Sequence, residues 1–145
     1  MARKLHDYVA DQAADLADEL AEALKHTAAP HYEAVDDKTL HDHTRRLVDA
    51  FVAALEHGPH SFVEYVRHMT EERISEGYYL AEIQTALSLL EGRVWRMVVA
   101  EAPVSELVSE LGCVTMVVGQ AKDELARVYL ERLTACQAAS AVERR

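Results

Sequence analysis

Chain-breaking residues are scarce, with five glycines and three prolines among 145 residues. So few turn formers exclude a fold of many short strands and favour a few long elements. Cysteine is nearly missing as well: only Cys113 and Cys136 occur. On one continuous helix these two would stand roughly 35 Å apart, which excludes a bridge within it. No stretch reaches the apolar length of a membrane span, and Asp7 arrives before any apolar run, leaving no signal-peptide core. A reducing, cytoplasmic setting is expected. Basic charge is the last shortage, since 15 Lys and Arg face 25 Asp and Glu, for a formal charge of −10. Attraction to nucleic acid or to an anionic membrane is therefore unfavourable. A Gly-rich phosphate loop, paired CxxC, nucleophile elbow and HExxH are all lacking, so no enzyme activity is expected.

Half of the residues are apolar, and they recur at helical spacing. A first helix is predicted from Ala2 to Ala28, with Leu5, Val9, Ala13, Leu16, Leu20 and Leu24 on one face. Asp7, Asp11, Asp15, Asp18 and Glu22 lie opposite, as a solvated stripe. A second helix starts with Asp36 or Asp37 as its cap and ends at His57, before Gly58-Pro59; Leu40, Thr44, Leu47, Phe51 and Leu55 mark its inner side. The third runs from His60-Ser61 to Gly77, with Phe62, Val66, Met69 and Thr70 inward and the glycine as the left-handed terminal residue.

The fourth, Tyr79 to Ala100, carries Leu80, Ile83, Leu87, Leu90, Val94, Met97 and Val98 in a stripe and stops before Pro103. The fifth, Val104 to Ala138, has a broad band from Leu107, Leu111, Val114 and Val118 through Ala121, Leu125, Val128 and Tyr129 to Cys136. The fold class is all-α: a five-helix bundle over residues 1–138, with residues 139–145 a tail expected to fray. Periodicity does not fix crossing angles, so a globin-like arrangement stays open.

Glu64, His68 and Glu72 follow one another at four-residue spacing. They fall opposite Val66 and Thr70, and the chain has no Glu-x-x-His unit of the kind a di-iron bundle uses, so a solvated face is expected and no metal or other cofactor. His57 and His60, flanking Gly58-Pro59, read as surface loop histidines. Arg73 is different. At about 100° per residue it falls between Met69 and Thr70, placing a permanent cation on an apolar face. It must reach an acid, carbonyl oxygens or an anionic ligand, or else snorkel to water at the bundle rim. Tyr78 and Tyr79 stand beside it in sequence and join it as candidate ligand-binding residues. Trp95 lies off its helix's stripe, either packed on another helix or exposed at an interface. Gly112 and Gly119, one heptad apart, suit a close backbone approach inside the bundle or across a dimer and are the candidate interface residues.

The segment Arg73-Ile74-Ser75-Glu76-Gly77-Tyr78-Tyr79-Leu80-Ala81-Glu82-Ile83 resembles the N-terminal helical domain of RsbRD-type co-antagonists, of the RsbR group of bacterial stress-signalling proteins. The shared pattern is an arginine four residues before a helix-ending glycine, then a leucine and an acid-aliphatic pair. The helix from Leu47 to Leu55 and the stretch Leu87-Ser88-Leu89-Leu90-Glu91 also fit, so the resemblance spans about residues 30 to 130. It implies a signal-input module, related to the non-haem globin domain of RsbR proteins, that dimerises and passes a conformational change onward. With only residues 139–145 after the fifth helix, the chain is expected to be either an excised domain or a free-standing relative acting through a signalling partner protein. A helical metal or tetrapyrrole protein using some of the eight histidines is the alternative from another class, and a purely structural interaction protein a third.

Overall fold

Proline, glycine and one aspartate cap cut the chain into its elements. The computed structural model describes residues 4–143. Among these are seven helices and no strand: α1 (Leu5–Asp11), α2 (Ala13–Lys25), α3 (Pro30–Ala34), α4 (Asp37–His57), α5 (His60–Ser75), α6 (Leu80–Glu101) and α7 (Leu107–Glu143). Asp36 caps α4 by accepting from the Thr39 amide at 2.9 Å, a contact worth about 1 kcal/mol. Gly58, at φ +105°, ends that helix.

Five predicted helices become seven for two reasons. The expected helix from Ala2 to Ala28 is interrupted at Gln12, which sits at φ −102° and ψ 10°, outside helical geometry. The break frees α1 to lie on α4 and α6 while α2 lies along α4; Ala2 itself falls outside the described residues. The stretch between the first two predicted helices holds α3, with Pro30 in its first turn, where a missing amide proton costs nothing. In α7 the start shifts from Val104 to Leu107, behind a turn over residues 104–106. The helix runs past Ala138 to Glu143, and residues 144–145 lie outside the described ones.

The expected stripes face one core. Leu16, Leu20 and Leu24 of α2, Leu40 and Phe51 of α4, Phe62 of α5, Leu87 and Leu90 of α6 and Leu125 of α7 are all at most 1 % exposed. Each such side chain contributes roughly 1.5–3 kcal/mol of transfer free energy. Phe51 and Phe62 join α4 to α5 edge to face, with centroids 5.6 Å apart. The main interfaces are α2 on α4 and α5 and α6 on α7, and the Tyr8 hydroxyl donates to Glu110, tying α1 to α7. The apolar band of α7 is buried only as far as Val128; Leu130, Leu133 and Cys136 are exposed, so Cys136 is not part of the core band.

Candidate functional site at the Arg73 corner

The turn between α5 and α6 is built on Gly77, whose φ of +92° is open to glycine at little cost. That conformation folds the chain back so that the Tyr78 amide donates to the Arg73 carbonyl at 2.9 Å and the Gly77 amide to the Ile74 carbonyl at 3.0 Å. This bond pair satisfies carbonyls that a helix end otherwise leaves open. The same geometry brings the side chains together, with the guanidinium carbon of Arg73 5.6 Å from the centre of the Tyr78 ring.

Arg73 is only 4 % exposed, so it neither snorkels nor faces water. Its nearest acid is Glu76, one turn on, with a single 3.5 Å contact to a side chain that is itself half exposed. Around the cation stand the phenols of Tyr32, Tyr65 and Tyr78 and the ring of His43. Burial pushes the Tyr32 phenol up to about 12, although a hydrogen bond and the charge of Arg73 pull the other way. Tyr65 and Tyr78 are raised by burial against the same pull. His43 goes down to about 4, first because its ring is partly buried and then because Arg73 and Arg46 repel a second cation. At neutral pH the guanidinium therefore stands among uncharged rings.

A second polar group closes the corner from the other side. Glu82, in the first turn of α6 and 1 % exposed, accepts from the Tyr79 amide at 2.8 Å, from the His31 amide at 2.6 Å and from His31 Nδ1 at 2.8 Å. One carboxylate thus joins the first turns of α3 and α6, where amides point outward and negative charge is favoured. The His31 ring lies 5.0 Å from Tyr78 and 5.1 Å from Tyr79, and Tyr32 meets Tyr78 edge to face at 4.8 Å. A continuous path runs from the buried anion of Glu82 through His31 and Tyr78 to the buried cation of Arg73.

Of the residues singled out from sequence, Arg73 and Tyr78 come together. Tyr79 takes part through its backbone, its side chain being 59 % exposed. Gly112 and Gly119 lie on α7, remote from this corner, and a methyl group at either would meet nothing within 4 Å. Among the described residues they serve no tight crossing. Trp95, 40 % exposed, separates two open grooves: one of about 670 Å³ beside Gly92 and Val99, the other of about 550 Å³ beside Val108, Gly112 and Met116. Glu64 pairs with His60 and Arg67 at 3.5 Å. Sequence reasoning missed His31, Tyr32, His43 and Glu82. Pro30 was a signal for α3, since proline favours the first helical position, but the burial of Glu82 depends on a helix 51 residues away in sequence.

Among known families, the model of the RsbT co-antagonist protein rsbRD N-terminal domain matches residues 14–145. Neither the curated proteins nor the solved structures yield a match.

Proposed function

The chain belongs to the family of rsbRD N-terminal domains of RsbT co-antagonists, a stress-signalling regulatory domain, and from this we propose that it is a non-enzymatic signal-input module. It takes its signal at the Arg73 corner and works as a cytoplasmic homodimer on a signalling partner protein, in keeping with the co-antagonism in the family's name. No described helix is long and apolar enough to cross a membrane.

The observation that carries this reading is the seating of the end of α5 on α7. Ile74, next to Arg73, shares a crevice with Tyr129 and Leu133, at the point where α7 loses its core neighbours. Whatever shifts the Arg73 corner shifts a residue that lines this crevice on the exposed part of α7. Coupling of this kind requires a packed element with two arrangements, not proximity alone. Hydrogen exchange tests it: Arg73→Met should change protection of the α7 amides from residue 129 onward, and equal protection in variant and wild type would sink the input reading.

Dimerisation draws on the exposed face shared by α6 and α7. Trp95, Val99, Val108 and Met116 are 40–83 % exposed there, and Gly112 lies in the groove beside them. A projecting indole and glycine-lined grooves on one surface give the knob and hole that a two-fold contact needs twice. Light scattering at high micromolar concentration should return twice the 16.2 kDa chain mass, and half of that value for Trp95→Asp with an unchanged melt. A wild-type monomer would refute the dimer.

A further inference from the structure

We propose that two copies of the chain pair their α6 helices in parallel about a two-fold axis, so that both α7 extensions project from one end of the dimer. The proposal rests on the dimer reading above and assigns the orientation which that reading leaves open.

The outer side of α6 carries a seven-residue pattern of its own. Ser88, Gly92, Trp95 and Val99, spaced by four, three and four residues, form a seam along the helix, and all four are exposed. Glu91 stands on one flank of this seam and Arg96 on the other. These six residues line the groove of about 670 Å³. Among the described residues, a methyl group at Gly92 would meet nothing within 4 Å. The fold of one chain thus gives no reason for a glycine that costs a helix interior about 1 kcal/mol relative to alanine.

The flanking charges select the direction. In a parallel pair, the residue just before a seam position reaches the partner residue five places on, so Glu91 meets the partner's Arg96, and the two-fold axis repeats the contact. An antiparallel pair brings like flanks together, the Glu91 side on the Glu91 side and the Arg96 side on the Arg96 side, and neither charge meets its opposite. Both groups are available. Arg96 is exposed and has no hydrogen bond or ion pair among the described residues. Glu91 meets Lys122 through Oε1, at 3.8 Å. The parallel register also seats the indole: each Trp95 enters a hole formed by the partner's Gly92, the partner's Trp95, the partner's Arg96 and the partner's Val99, and the glycine supplies the room.

Direction decides what a dimer presents. α7 runs back along α6, since Lys122 stands by Glu91 while Leu111 and Thr115 stand by Trp95. The part of α7 after Val128 therefore passes the start of α6. A parallel dimer offers a signalling partner protein two such extensions at one end, whereas an antiparallel dimer sends them to opposite ends.

Disulfide trapping in the full chain, with Cys113→Ser and Cys136→Ser as background, reads the direction. A parallel two-fold pair sets each seam residue against its own copy, so Val99→Cys alone should oxidise to a covalent dimer, and so should Ser88→Cys alone. A mixture that links only Ser88→Cys to Val99→Cys would overturn the parallel pairing. In sedimentation equilibrium, Glu91→Arg and Arg96→Glu should each raise the dimer dissociation constant by about tenfold, and the double variant should return it to near the wild-type value. Lys122→Ala should leave it unchanged. Single swaps without effect, or a double variant as weak as either, would count equally against the pairing. If Trp95→Asp gives a monomer while trapping follows the antiparallel pattern, the dimer reading stands and its direction fails; a wild-type monomer removes both.

Discussion

Tyr78 holds Arg73 twice: its amide donates to the Arg73 carbonyl at 2.9 Å, and its ring lies 5.6 Å from the Arg73 guanidinium carbon. The backbone contact belongs to the helix end and survives any side-chain change, whereas the ring contact does not. Replacing Arg73 by methionine keeps most of the stem's packing and removes the cation. Losing the ring contact and the Tyr32 hydrogen bond works against the gain from no longer burying a charge. The variant should be less stable by about 1–3 kcal/mol. Denaturant unfolding measures this, and a midpoint equal to or above wild type would mean that the guanidinium is carried at no benefit to the fold.

Gly77→Ala isolates the backbone contribution. A methyl group there would meet only His31 Nε2, at 3.6 Å, which is ordinary contact, so the cost comes from the φ of +92°. Left-handed backbone costs a non-glycine residue about 1–2 kcal/mol. Urea titration should show a loss of that size, with Gly77→Asn losing less. Equal losses for alanine and asparagine would point to something other than backbone strain.

Glu82→Gln tests the bridge between α3 and α6. The amide retains one oxygen acceptor and turns a donor toward groups that are themselves donors. The expected loss is about 2–4 kcal/mol, since buried amides are left unbonded. His31→Ala, which removes one of three contacts, should cost less. A glutamine variant as stable as wild type would show that the amides find other acceptors.

His43 predicts the acid side of the stability profile. Its folded pKa, about 4, lies below the ordinary value near 6.5, so the unfolded chain takes up the proton first. Its contribution is complete above pH 6.5 and is lost as pH falls toward 4. Full conversion would give about 3 kcal/mol, and water around the partly exposed ring reduces this to about 1 kcal/mol. His43→Gln should flatten the profile between pH 6.5 and 4. Parallel profiles for variant and wild type in that window would contradict the assignment.

What could be read from the residues alone follows a physical division. Gly58-Pro59, Gly77 and Pro103 act locally, so they mark helix ends reliably, and the inward face of α5 follows from its period; Arg73 was found because it violates that period. The break at Gln12 carries no local signal, being set by the surfaces α1 lies against. Glu82 reads in sequence as a capping acid in water, and only docking of α3 buries it. His43 likewise looks exposed until Arg73 arrives from another helix. The glycines of α7 signal close approach, yet among the described residues a methyl group at either would meet nothing within 4 Å.

The reach of α7 gives the crevice beside Ile74 a consequence of its own. Fourteen residues separate Tyr129 from Glu143, about 21 Å of helix. A helix transmits tilt as a rod, so turning it by about 10° at Tyr129 carries the backbone at Glu143 sideways by about 4 Å. A small tilt set at the crevice between Ile74 and Tyr129 would therefore be magnified along the exposed helix into a movement as wide as a side chain.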